Sequence, residues 1–195
     1  MAFLRQQLPR LGYFTFTMEN QITAHDLHFE PFIRKAELAA RVQELGIAIR
    51  QDFEGKRPLF ISVLNGAFVF AADLLRAANI ECEIAFVRLA SYEGMASTGE
   101  IETILGLDVE VKNRHVIVVE DIVDSGRTLH HFMAQLLDLR PASISLAALL
   151  FKPDALQLPV KIDYLGFEIP NRFVVGYGLD YDGLCRNLPD IYQKV

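Results

Sequence analysis

The chain has 195 residues, 51% of them hydrophobic, and a formal net charge of -6. That length and apolar content suit one compact α/β domain with a full core, while the negative charge disfavours a nucleic-acid coat or an anionic-membrane binder. The two cysteines, Cys82 and Cys185, follow no metal or redox spacing, which points to a reducing cytoplasm, and no run approaches the roughly 18 apolar residues of a membrane span.

Taken in order, the chain opens on an Arg-flanked stretch without the apolar core of about 7–15 residues that a signal peptide needs. Residues 1–20 are therefore expected to be a flexible extension, with Met18 an alternative start. Residues 19–33 read as irregular, interrupted by Pro31, with His25 and His28 on the surface because no third ligand stands at metal spacing. Glu37 to Phe53 reads as an amphipathic helix with Leu38, Val42, Leu45 and Ile49 on one stripe. Leu59 to Leu64 is a buried strand that enters Asn65-Gly66-Ala67, and a helix follows from Phe68 to Ala78. Ile84 to Leu89 is the next strand. The polar run Ser91 to Glu100 follows as a lid candidate, and Ile101 to Gly106 returns from it.

Val116 to Val119 is a further strand of the doubly buried kind. It runs into Glu120, Asp121 and Asp124 and then into Ser125-Gly126-Arg127-Thr128. Helical spacing begins at Leu129 and continues through Phe132, Met133, Leu136 and Leu137. Small residues at a strand-to-helix turn expose successive N–H groups at a helix N-terminus, which is a phosphate cradle. The three acids around it would repel a bare phosphate. They make sense if they bind hydroxyls, a magnesium-loaded substrate or a developing positive charge. Ile144 to Phe151 is the next strand and ends at Lys152. Asp163 to Glu168 is another, Phe173 to Gly178 follows, and Leu184 to Val195 reads as irregular. On the residues alone, Asn65-Gly66 reads equally as an ordinary connection, and Lys152 as a lysine whose stem lies on the core edge. There is no Walker P-loop, no complete Gly-x-Gly-x-x-Gly, no Gly-x-Ser-x-Gly and no His-Glu-x-x-His.

Residues 118–128, Val-Val-Glu-Asp-Ile-Val-Asp-Ser-Gly-Arg-Thr, resemble the phosphoribosyl diphosphate signature of type I phosphoribosyltransferases. Phe86-Val87-Arg88-Leu89, Ser91-Tyr92 with Ser97-Thr98-Gly99-Glu100, Asp163 to Pro170 and Phe173 to Tyr181 resemble the hypoxanthine-guanine branch of that family. The likeness spans roughly residues 25–190. It implies an open, mostly parallel sheet flanked by helices with a small hood, in one domain over 21–195 whose hood comes from about 21–35 and 152–195.

The resemblance also implies a reaction. A 6-oxopurine attacks C1 of phosphoribosyl diphosphate, giving a nucleoside monophosphate and diphosphate through a ribooxocarbenium-like transition state. Glu120 and Asp121 would hold the ribose hydroxyls, directly or through Mg2+, and favour the developing cation. Asp124 would exchange the proton of purine N7. Ser125, Gly126, Arg127 and Thr128 would hold the 5-phosphate, the Arg127 side chain mattering little. Phe173 would stack on the base, and Lys152 would donate to its 6-oxo oxygen. Val174 and Asp180 would meet the N1 and 2-position edge. Asp180 also matches a position that helps bind a second Mg2+. Asn65, Gly66 and Arg186 would take diphosphate, with a cis peptide at Leu64–Asn65. Family members often carry a basic residue where Asn65 stands. Ser91 and Tyr92 would lie on the closing lid. A homodimer or homotetramer is expected.

Three readings compete. The first is purine salvage on hypoxanthine and guanine. The second is a transferase of the same fold acting on xanthine or adenine. The third is a nucleotide-sensing, RNA-binding regulator of the same fold, against which stand the net charge and the lack of Lys/Arg runs.

Overall fold

The computed structural model describes residues 14–16, 21–90, 102–105 and 107–195, with only the backbone course given for 14–16, 90 and 102–105. The main sheet contains β4 (Leu59–Leu64), β5 (Glu83–Ala90), β6 (Glu102–Leu105), β7 (His115–Val123), β8 (Ser143–Phe151) and β9 (Tyr164–Glu168). Their order is β6-β5-β4-β7-β8-β9. All pairings are parallel except that of β6 with β5. The helices are α1 (Lys35–Phe53), α2 (Phe68–Ala78) and α3 (Arg127–Asp138).

The central strands are apolar on both faces because both faces are covered. Phe60, Ile117, Val119 and Leu149 point one way, into a core with Leu38, Val42, Leu45 and Ile49 of α1 and Phe70 and Leu74 of α2. The alternate residues Leu59, Ile61, Val116, Val118 and Leu146 point the other way, against Leu129, Phe132 and Leu136 of α3. After β4 the chain moves outward to β5; after β7 it moves the opposite way to β8. The carboxyl ends of β4 and β7 therefore flank the switch point of the sheet, where open α/β sheets place ligands.

A second, antiparallel sheet is built from β1 (Phe14–Phe16), β2 (Ile22–Ala24), β3 (Leu27–Ile33), β10 (Val174–Val175) and β11 (Ile191–Lys194), in the order β1-β2-β3-β11-β10. It has its own small core of Ile22, Phe29, Val175, Leu188 and Tyr192. Two expectations are corrected here. The described part of 19–33, residues 21–33, is not irregular but contains a hairpin that turns at His25, which has φ 52°. The tail is not irregular either, since β11 pairs with both β3 and β10. These strands are short and mixed in polarity, so periodicity hides them. Pro31 lies opposite Tyr192 beside a register shift at Ile191/Tyr192, and such irregularities are where a strand tolerates proline. A third adjustment concerns β7. It runs from His115 through Val123, longer than the Val116 to Val119 read from the sequence, and carries Glu120 and Asp121 up to the turn that begins at Asp124. Among the described residues, no helix is long and apolar enough to cross a membrane.

Candidate active site

Two adjoining cavities open at the carboxyl ends of β4 and β7. One is lined by Glu120, Asp124, Ser125, Gly126, Arg127 and Thr128, with Val63 and Leu64 of β4. The other is lined by Asn65, Gly66, Asp121, Asp124, Lys152, Phe173, Val174, Leu179, Asp180 and Arg186. Asp124 and Ile122 line both. The structure thus gathers fourteen of the expected residues around one double cavity, counted from those two linings. Ser91 and Tyr92 lie outside the described residues.

The first cavity is the strand-to-helix turn. Gly126, with φ 74°, precedes α3, and a β-carbon there would lie 2.7 Å from the Leu158 carbonyl oxygen. The turn is braced from behind: the N–H groups of Gln157 and Leu158 donate to the Ser125 carbonyl at 2.9 and 3.2 Å. The Arg127 N–H donates to Ser125 Oγ at 3.4 Å, and the His130 N–H caps the Gly126 carbonyl. These bonds leave the helix N-terminus facing the cavity, where its partial positive charge favours an anion.

Adjacent strand residues point to opposite faces, and the two acids divide accordingly. Glu120 lines the first cavity and Asp121 the second. Burial pushes the Glu120 carboxyl well above the usual carboxylate range, and the neighbouring Asp121 charge adds to the effect. Burial also raises Asp121, partly offset by hydrogen bonds from Glu120 and backbone N–H groups and by the Arg186 charge. A pair so poorly compensated fits a divalent cation. Among the described residues, no three His, Cys, Asp or Glu side chains converge on one ion. Two carboxylates alone could hold such an ion only if other oxygens filled the rest of its shell.

The second cavity combines an aromatic face with polar tips. Lys152 is 7% exposed, and its Nζ lies 2.9 Å from Asp124 Oδ2. Its backbone N–H donates to the Val123 carbonyl, so the end of β8 is tied to the end of β7. Phe173 is 42% exposed and packs edge-on against Tyr181, with ring centroids 5.7 Å apart. Arg186 donates from Nη1 to the Gly178 carbonyl at 2.8 Å and pairs through Nη2 with Asp180 Oδ1 at 2.7 Å. The other Asp180 oxygen accepts the Gly183 N–H.

The Asn65-Gly66 turn closes the floor. The Leu64–Asn65 peptide is cis. A β-carbon on Gly66 would lie 1.5 Å from Asp121 Oδ2, so only glycine lets the carboxylate approach this backbone. On the other side, a β-carbon on Gly178 would lie 2.1 Å from the Gly66 carbonyl oxygen. Sequence reasoning did not single out Leu179, which lines the cavity, or Tyr177, whose hydroxyl donates to Asp73 Oδ2 at 2.6 Å. The Gly-Tyr-Gly run marked the place but not its partner.

Known proteins share this fold and much of this sequence. A family profile described as "Phosphoribosyl transferase domain" matches residues 34–182. The hypoxanthine-guanine phosphoribosyltransferase of Lactococcus lactis is 41% identical over 170 residues, covering 83% of this chain and 92% of the relative. The hypoxanthine phosphoribosyltransferase of Buchnera aphidicola is 43% identical over 166 residues, covering 84% and 94%. Among solved structures, a hypoxanthine-guanine phosphoribosyltransferase from Bacillus anthracis superposes with a TM-score of 0.80 at 39% identity, covering 85% of this chain and 96% of that one. With its fold, its double cavity and a profile match over most of its length, the chain belongs to the phosphoribosyltransferase family.

Proposed function

We propose that the chain serves purine salvage, moving the 5-phosphoribosyl group from phosphoribosyl diphosphate to hypoxanthine or guanine and releasing IMP or GMP and diphosphate. The observation that carries this reading is Asp124, which lines both cavities and lies 2.9 Å from Lys152 Nζ. A group between a phosphate cradle and an aromatic slot is where a base and a sugar phosphate would meet. The names of the relatives above support the choice of substrates.

In this reading Ser125 to Thr128 bind the 5-phosphate, and Glu120 and Asp121 bind the ribose hydroxyls. As the glycosidic bond to diphosphate breaks, positive charge builds on the ribose, and the two acids favour it. Asp124 takes the N7 proton as the purine nitrogen bonds to C1. Phe173 stacks on the base, and Lys152 donates to its 6-oxo oxygen. Adenine offers a donor there, so one N–H of the Lys152 ammonium, already paired to Asp124 through another, meets a second donor and loses its acceptor. Val174 and Asp180 border the far edge of the base. Asn65, Gly66 and Arg186 receive the diphosphate. Mg2+ held by Glu120 and Asp121, and a second ion near Asp180, would neutralise diphosphate charge. Residues 21–195 act as one domain with β2, β3, β10 and β11 of the small sheet in its hood, and the enzyme works in the cytoplasm as a homodimer or homotetramer. Initial rates with phosphoribosyl diphosphate, Mg2+ and each purine in turn test the reading: nucleotide should form with hypoxanthine and guanine. A preference for adenine sinks the role of Lys152.

A further inference from the structure

Gly176, Tyr177 and Gly178 have φ values of 98°, 50° and 106°. Glycine adopts such angles readily, whereas a residue with a β-carbon there loses roughly 1–2 kcal/mol. The middle residue is nevertheless tyrosine, so its side chain must return more than the backbone loses. Its ring is 8% exposed, and its hydroxyl donates to Asp73 Oδ2 at 2.6 Å. Burial and this carboxylate together push the Tyr177 phenol far above its ordinary range, so it remains a donor at any working pH.

Asp73 stands on α2, the helix that leaves the Asn65-Gly66 turn. The residue after Tyr177 rests on that same turn, because Gly178 leaves no room for a β-carbon beside the Gly66 carbonyl. Gly66 is thus held between Gly178 and the Asp121 carboxylate. Gly178 also accepts from Arg186, which pairs with Asp180. One side-chain bond therefore ties the loop carrying Phe173, Val174 and Asp180 to the element carrying Asn65 and Gly66. Neither Tyr177 nor Asp73 lines either cavity.

We propose that Tyr177 and Asp73 are positioning residues: their hydrogen bond fixes the purine-side loop against the diphosphate-side turn, so that both halves of the site share one geometry before substrates arrive. The proposal rests on the transferase reading above. It differs from a purely packing role because it links two substrates. Losing the bond should weaken both together, whereas lost packing should only lower the melting temperature.

The test compares Tyr177→Phe, Asp73→Asn and Asp73→Ala with the wild type, in full steady-state kinetics at a temperature where all four are folded. Tyr177→Phe keeps the ring and removes only the donor. Losing this charge-assisted bond should raise KM for phosphoribosyl diphosphate and for hypoxanthine together, each by about five-fold or more, with a smaller change in kcat. Asp73→Asn retains an acceptor and should stay within about two-fold of wild type, while Asp73→Ala should match Tyr177→Phe. Combining Tyr177→Phe with Asp73→Ala should add nothing further. An active wild type whose variants melt lower with both KM values unmoved overturns the brace alone, as does a shift in one KM without the other. A wild type with no transferase activity overturns the transferase reading and the brace with it.

Discussion

Lys152 Nζ lies 2.9 Å from Asp124 Oδ2, although the two residues are 28 apart in sequence. The lysine is buried and the aspartate side chain is half exposed. The ammonium is therefore held at the wall between the two cavities by the group that would handle the purine proton. A buried ammonium stripped of its partner is costly, so Asp124→Asn, which keeps an oxygen acceptor, separates proton transfer from folding better than alanine does. Asp124→Asn should lower kcat by roughly 10²–10⁴-fold, with KM for hypoxanthine changed by less than about three-fold. Steady-state kinetics check it, and undiminished turnover removes Asp124 as the base.

The two half-buried acids of β7 make stability depend on pH in an unusual direction. Glu120 and Asp121 have carboxyls raised above their ordinary values by burial. In the window from the ordinary value up to the raised one, the folded protein holds more protons than the unfolded chain. Stability is then highest below the ordinary carboxylate value and declines as pH rises through that window. Glu120→Gln removes a poorly solvated charge and its repulsion of Asp121, and should raise the melting temperature near neutral pH by a few degrees, since about 1 kcal/mol moves a chain of this size by roughly 2–4 °C. Its melting temperature should also depend less on pH. The same change should weaken phosphoribosyl diphosphate binding. Melting curves from acid to neutral pH, compared between the two proteins, decide it.

Gly126 stands at φ 74° with the Leu158 carbonyl 2.7 Å from where a β-carbon would go. Gly126→Ala must adopt a left-handed backbone and displace the 157–158 strap that holds Ser125. The variant should lose about 1–3 kcal/mol of stability. KM for phosphoribosyl diphosphate should rise while the ranking of purines stays as in wild type. Denaturant melts and base competition read the two effects separately.

Ser62 on β4 is fully buried, and its hydroxyl has no hydrogen-bond partner among the described residues. An orphaned hydroxyl is a desolvation loss without return. Ser62→Ala should therefore leave stability unchanged or raise it by up to about 1 kcal/mol, contrary to the usual result of core truncation. A drop of similar size would show that the hydroxyl has a partner, such as a buried water.

How far the chain could be read from its residues depended on local repetition. β4, the core of β7 and α2 were legible because both sheet faces are covered, which writes unbroken apolar runs such as Leu59 to Leu64. The strand-to-helix turn was legible because Asp124 to Thr128 is contiguous. The hood strands were not: β3 mixes His28, Glu30 and Pro31 with apolar residues, and its partner β11 lies at the far end of the chain. Lys152 alone was ambiguous, since what holds it is non-local: its N–H donates to the Val123 carbonyl and its Nζ reaches Asp124, 28 positions away. The bond between Tyr177 and Asp73 spans 104 positions and leaves no periodic mark.

The central claim is that the cavity beside Asp124 takes a 6-oxopurine while the turn at Ser125 to Thr128 takes the sugar phosphate. The most direct measurement is the initial rate of nucleotide formation from phosphoribosyl diphosphate and Mg2+ with hypoxanthine, guanine, xanthine or adenine supplied singly. The account predicts IMP and GMP from hypoxanthine and guanine, with adenine disfavoured by roughly 10²-fold or more, the scale expected when a buried donor is left unpaired. Adenine turned over as fast as hypoxanthine, or no nucleotide from any base, would contradict it.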